Sequence, residues 1–150
     1  MFEKILLPVS GSPESIAASE FAIKLAMVHN SQILALNVVD TSVVRQLAQH
    51  SGKSPGEVEV EIEENGWHYL YYVEEMAKDN KVKTVVLLER GFPQERIVSK
   101  AREFKAELII LGQSARRGTP GISFDRFLQY IMEQASCPVL IVKETTPTKQ

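Results

Sequence analysis

Short, continuously apolar runs alternate along the chain with longer stretches in which apolar residues recur at helical spacing. KILLPV (4–9), QILALNVV (32–39), VKTVVLLE (82–89), ELIIL (107–111) and PVLIVK (138–143) have strand length and few polar positions. Uninterrupted apolar strands of this kind are buried on both faces. The intervening SPESIAASEFAIKLAMVHN (12–30) predicts a helix. Ser12 can cap it, Pro13 suits the first turn and Glu14 favours the positive helix end. Ile16, Phe21, Ile23, Leu25 and Val28 supply its expected apolar stripe.

The stretch EVEVEIEE (57–64) alternates with period two, which alone suggests a strand. Read to residue 80, Val58, Ile62, Tyr69, Val73 and Met76 keep to one helical face, and a helix is predicted instead. Gly66 is its expected weak point, at about 1 kcal/mol relative to Ala. TSVVRQLAQHSGKSPG (41–56) predicts a short helix ending near Gly52, with Ser54-Pro55 opening the next. PQERIVSKAREFKA (93–106) is helical with Ile97, Ala101 and Phe104 inward, and FDRFLQYIMEQA (124–135) is the last helix. Strands separated by helices imply a single-domain, doubly wound α/β fold around a parallel sheet. Its ligands bind outside the carboxyl ends of the strands, which singles out the loops 9–12, 39–42, 89–92 and 112–123.

Composition narrows the function. The 150 residues suit one domain, and 44% hydrophobic with 24% charged residues is ordinary for a soluble protein. A net charge of −2 gives no reason to expect nucleic acid, and no apolar run is long enough to cross a membrane. The opening MFEKILLPVS has neither the charged leader nor the long apolar stretch of a signal peptide. Cys137 is the single cysteine, which agrees with a reducing compartment, and a cytoplasmic location is expected. The end of the chain, ETTPTKQ, has no apolar content, so a domain over 1–144 and a disordered tail over 145–150 are expected.

KILLPVSGSPES, GFPQERIVSKAREFKAELIILG and ASCPVLIV together, in this order and spacing, resemble the universal stress protein family over nearly the whole chain. The resemblance implies five parallel strands in the order 3-2-1-4-5, Rossmann-like and of the adenine nucleotide alpha hydrolase-like kind. It also implies homodimers paired through the last strand, here Val139, Leu140, Ile141 and Val142, whose edge N–H and C=O groups would be free to pair.

Nucleotide-binding members carry G-x-x-G-x9-G-[S/T] after the fourth strand, where glycines admit the phosphates and the closing hydroxyl and helix N-terminus hold them. The nucleotide- or anion-binding candidates by this comparison are Val9, Ser10, Gly11, Ser12, Val38, Gly112, Ser114, Arg116, Arg117, Gly118, Gly121, Asp125 and Arg126. Gly112 matches the first position, but the second falls on Ala115 and the closing pair on Asp125-Arg126. A carboxylate at Asp125 is expected to repel phosphate. Two unit charges about 4 Å apart at an effective dielectric near 20 repel by roughly 4 kcal/mol, roughly a thousandfold in affinity. A second register, Gly118 to Gly121, meets Ile131-Met132 nine residues on and is also incomplete. Ser10 stands where binding members have an Asp toward the nucleoside. Arg116, Arg117 and Arg126, joined by Arg90 from the third strand, are the cations available to grip an anion.

Other signals are weaker. HSGKS (50–54) resembles the end of a Walker A loop, but the Gly required five residues before Gly52 is Leu47. SGSPES (10–15) is similar to the S-G-G-x-D-S loop of ATP pyrophosphatases, with Ser12 for a Gly and Glu14 for an Asp. His29, His50 and His68 lack metal-ligand spacing, Ser114 and Ser123 lack a His partner, and Cys137 reads as a small packed residue. No catalytic residue and no metal ligand is assigned. Trp67, Tyr69, Tyr71 and Tyr72 crowd one helix beside Glu57, Glu59, Glu61, Glu63 and Glu64, which read as a solvated face or as a docking surface for a basic partner. The resulting expectation is a non-enzymatic, cytoplasmic, dimeric stress-response protein acting through protein partners, needing no cofactor, with ATP binding weak or absent. The alternative is a regulatory module that binds ATP, AMP or another anionic metabolite.

Overall fold

Serine side chains set the starts of three helices. In the computed structural model, which describes residues 1–114 and 123–144, Ser12 accepts from the Ser15 N–H at the start of α1 (Pro13–His29). Ser54 accepts from Glu57 N–H at α3 (Pro55–Asp79), and Ser123 from Arg126 N–H at α5 (Phe124–Gln134). Asp40 does the same for α2 (Thr41–Ser51), taking the Ser42 N–H at 2.9 Å. Each side chain satisfies a donor that helix geometry leaves unpaired. α4 (Pro93–Phe104) begins on a proline and has no side-chain cap. Asn30, Gly52 and Lys105 close α1, α2 and α4 in the left-handed region.

The strands β1 (Lys4–Pro8), β2 (Gln32–Asp40), β3 (Lys83–Gly91), β4 (Leu108–Gly112) and β5 (Val139–Val142) form one parallel sheet ordered β3-β2-β1-β4-β5. Leu6 lies opposite Leu34 on one side and Ile109 on the other. Strand alternation splits the core. Ile5 and Leu7 pack with α1 and α3, while Leu6 packs with Ile97, Ala101 and Ile131 from α4 and α5. The chain winds outward from β1 through β2 to β3 and then returns to β1's other side for β4. The switch point therefore lies above β1 and β4, where a crevice opens.

Two expectations fail here. On α1, Ile16 and Phe21 are exposed and Val28 is 79% exposed. Ile23 of the expected stripe is buried and Leu25 packs on the core, but the rest of the buried face is Ala18, Ser19, Ala22 and Ala26, small residues that seat the helix close to the sheet. Gly66 is not a weak point but a contact. A Cβ there would meet Asn37 Oδ1 and come within 3.0 Å of Leu88 Cδ1. The helix over 57–80 does form, and its alternating glutamates are explained by ion pairs. Glu59 and Glu63 reach Arg90 (2.6 Å from Glu59), and Glu61 reaches Lys53 at 2.6 Å.

Candidate functional site

A cleft of about 340 Å³ opens at the carboxyl ends of β1, β2 and β4. Its floor starts with Val9, whose N–H donates to the Leu36 carbonyl at 2.8 Å. The Val9 carbonyl in turn accepts from Asn37 Nδ2 at 2.8 Å, and this buried bond fixes the β1–α1 turn to β2. Asn37 is itself pressed against Gly66, so the close approach of α3 holds the turn in place. Beyond Val9 the chain folds on itself. Ser10 N–H donates to Ser15 Oγ at 2.8 Å, and the Ser10 and Ser12 hydroxyls lie 3.1 Å apart.

The cleft wall is divided in character. One side, with Leu36, Val38, Pro93, Ile97, Phe124 and Phe127, is apolar and partly aromatic. The other is polar, with Ser10, Ser12, Glu14, Ser15 and Ser114. Glu14 is largely buried, and it is the one charged residue among the described residues lining the cleft. Its position follows from Gly112. A Cβ on Gly112 would collide with the Glu14 carbonyl, 2.6 Å from its carbon, so only glycine lets the first turn of α1 rest on β4. Gly112 therefore has a packing role whatever the cleft holds.

Of the residues singled out in the sequence, Val9, Ser10, Ser12, Val38, Gly112 and Ser114 line this cleft together. Gly11 faces the opposite way. A Cβ on it would lie 2.6 Å from the Tyr69 hydroxyl, and it borders a second, apolar cavity of about 180 Å³ between α1 and α3. Asp125 and Arg126 are exposed in the first turn of α5 and are not part of the cleft wall, because Phe124 and Phe127 present that helix to the cleft. Arg90 does not join the cleft either. It is drawn to α3, where hydrogen bonding to Glu63, then the nearby Glu63 and Glu59 charges, raise its pKa above the usual guanidinium value. Arg116, Arg117, Gly118 and Gly121 lie outside the described residues, as does the segment 145–150. The 39–42 segment is no loop, since α2 follows β2 directly.

The sequence reading missed Glu14, Asn37, Phe124 and Phe127 as cleft residues. Glu14 was visible only as a helix-start acid, and the two phenylalanines only as part of the last helix; in the fold they are 6.1 Å apart between ring centroids. Cys137 is half-buried, and burial pushes its thiol pKa up, away from the reactive thiolate. His29 packs edge-on against Phe2. Gly52 closes α2 at φ 74° with Lys53 committed to Glu61, a helix end rather than a phosphate loop. No helix among the described residues is long and apolar enough to cross a membrane.

Comparison with known proteins places this architecture. The model of the universal stress protein family matches residues 1–143. Universal stress protein MJ0531 of Methanocaldococcus jannaschii is 32% identical over 145 residues, covering 96% of this chain and 84% of that protein. The structure of universal stress protein UspA from Lactobacillus plantarum superposes with a TM-score of 0.75 at 21% identity, covering 94% and 97% of the two chains. The universal stress protein from Archaeoglobus fulgidus in complex with dAMP gives 0.65 at 16% identity, covering 94% and 98%.

Proposed function

The chain belongs to the universal stress protein family, and from that premise we propose that it is a non-enzymatic stress-response protein whose cleft has room for a nucleoside but holds a triphosphate weakly or not at all. The observation that carries this reading is Glu14, a largely buried acidic residue of the cleft lining with no described cation among the residues beside it. A phosphate group placed about 4 Å from such a charge, at an effective dielectric near 20, is repelled by roughly 4 kcal/mol. Ser10 reinforces it, because a neutral hydroxyl stands where binding members have an acid toward the nucleoside. The apolar wall of Val38, Pro93 and Ile97 suits a flat ring, while the Archaeoglobus relative in complex with dAMP, a nucleotide with its phosphate, favours the reading that follows.

A second reading is a regulatory module that answers to AMP, ATP or another anionic metabolite. Ser10, Ser12, Ser15 and Ser114, four hydroxyl residues lining one cleft, favour it. Calorimetric titration with adenosine, AMP and ATP, each with and without Mg²⁺, separates the two. The first reading expects adenosine to bind as well as AMP or better, and ATP at least tenfold more weakly. Low-micromolar ATP binding, including binding that appears only with Mg²⁺ bridging the carboxylate, supports the second.

The protein acts in this proposal as a homodimer. β5 ends the sheet, pairs with β4 on one side only within this chain, and its residues Val139 to Val142 are half-buried. Two such edges meeting across a two-fold axis would cover that surface. Light scattering should give twice the chain mass, and a monomer at micromolar concentration contradicts this part.

A further inference from the structure

Helix α3 has a second face that its own fold does not use. Its inward side, Val58, Gly66, Leu70, Val73 and Ala77, is buried against the sheet. On the outward side Val60, Glu64, Trp67, Tyr71 and Glu74 follow one another at spacings of four and three, the period of a helix–helix seam. Val60 is 54% exposed, Tyr71 52% and Trp67 36%. Trp67 and Tyr71 stack on each other with centroids 5.6 Å apart and planes 24° apart, which makes a flat, open aromatic surface on the helix. At a rise of about 1.5 Å per residue the seam from Val60 to Glu74 runs about 21 Å, long enough for a partner segment of three to four turns.

The charges beside this surface choose the occupant. Glu59, Glu61 and Glu63 are taken by Arg90 and Lys53 within the chain. Glu64, Glu74 and Glu75 have no ion-pair partner among the described residues; Lys78, Lys81 and Lys83 border Glu74 and Glu75 at the end of the helix, and no lysine or arginine of α3 itself lies within a turn of Glu64. An aromatic face bordered by carboxylates attracts ammonium and guanidinium groups twice over, through the ring quadrupole and through charge. It repels nucleic-acid phosphates and anionic lipid, and in a symmetric pairing with itself it would set like charges together. We propose that the outward seam of α3 docks a Lys- and Arg-bearing amphipathic segment of a partner protein, with Trp67 and Tyr71 receiving its apolar and cationic side chains. The seam lies on a different element from the cleft walls, so this inference stands apart from what the cleft binds.

Trp67 is the single tryptophan, so its fluorescence reports the seam directly. The probe is a synthetic helical peptide with leucines at seam spacing and lysines and arginines flanking them. It is compared with the same peptide carrying glutamine in place of every basic residue. The expected result is a saturable change in Trp67 emission with the basic peptide, at least tenfold weaker with the neutral one. E64Q/E74Q/E75Q should weaken binding at least tenfold, while E95Q/E133Q/E144Q, which removes the same charge elsewhere, should change it less than twofold. W67A, followed by calorimetry, should abolish it. All these side chains are surface positions, and circular dichroism checks that each variant stays folded. No saturable signal, equal binding of the neutral peptide, or equal losses from the two triple variants overturns the proposal.

Discussion

Acidic side chains occupy two contrasting settings near the carboxyl edge of the sheet. On α3, Glu59 and Glu63 converge on Arg90, and all three groups are in contact with water. In the cleft, Glu14 is a largely buried residue lined up with serines and apolar residues, with no described cation among them. The same chemical group therefore does opposite things. Where a guanidinium is at hand, the carboxylates neutralise it and bind strand to helix. Where none is, the carboxylate is proposed to set the sign of the cleft. Arg90 links the two regions, because capture by α3 removes it from the cations that the cleft could recruit.

The largest expected effect breaks the cleft side at its support. Gly112→Ala forces a methyl into the backbone of Glu14, and overpacking of this kind costs about 1–3 kcal/mol. Thermal unfolding should show it as a drop of about 3–10 °C for a domain of this size, and an unchanged midpoint would mean that α1 is not held on β4 as described.

Next, Arg90→Ala leaves Glu59 and Glu63 facing each other on α3. The loss should be about 0.5–1 kcal/mol, as for exposed ion pairs, and it should shrink in high salt. Titration of the same variant with AMP should match the parent within twofold. A clear loss of AMP affinity would place Arg90 in the cleft after all.

The smallest effect sharpens the comparison within the cleft region itself. Asp125→Asn removes an exposed first-turn charge, which is largely screened beyond about 8 Å at physiological salt. ATP affinity should change by less than threefold. A tenfold gain would return to Asp125 the role here assigned to Glu14.

Much of the fold was legible because its signals are local. Ser12-Pro13 and Ser54-Pro55 mark helix starts, and the apolar runs mark the strands, although β3 at the sheet edge is not buried on both faces as its run suggested. Even the misleading alternation of 57–64 yields to the helical spacing of Val58, Val73 and their neighbours, because a 25-residue helix has a longer pattern than any strand. What stayed hidden depends on contacts between distant segments. The α1 face could not be read, since alanines rank below Phe21 and Val28 in any hydrophobicity pattern yet allow the closer approach to the sheet. Gly66 looked like a flaw because its partner, Asn37, lies 29 residues earlier. Glu14 looked like a helix-start acid because nothing near it in sequence says that Gly112 presses its turn to the cleft edge.

The central claim is that one carboxylate of the cleft lining, Glu14, keeps phosphate out. The most direct test is paired calorimetric titration of ATP into the parent protein and into Glu14→Gln, which keeps the shape and removes the charge. The account predicts that ATP binds the variant at least tenfold more tightly, with adenosine affinity unchanged within twofold. Equal ATP affinity in the two proteins, or weaker binding in the variant, would contradict it.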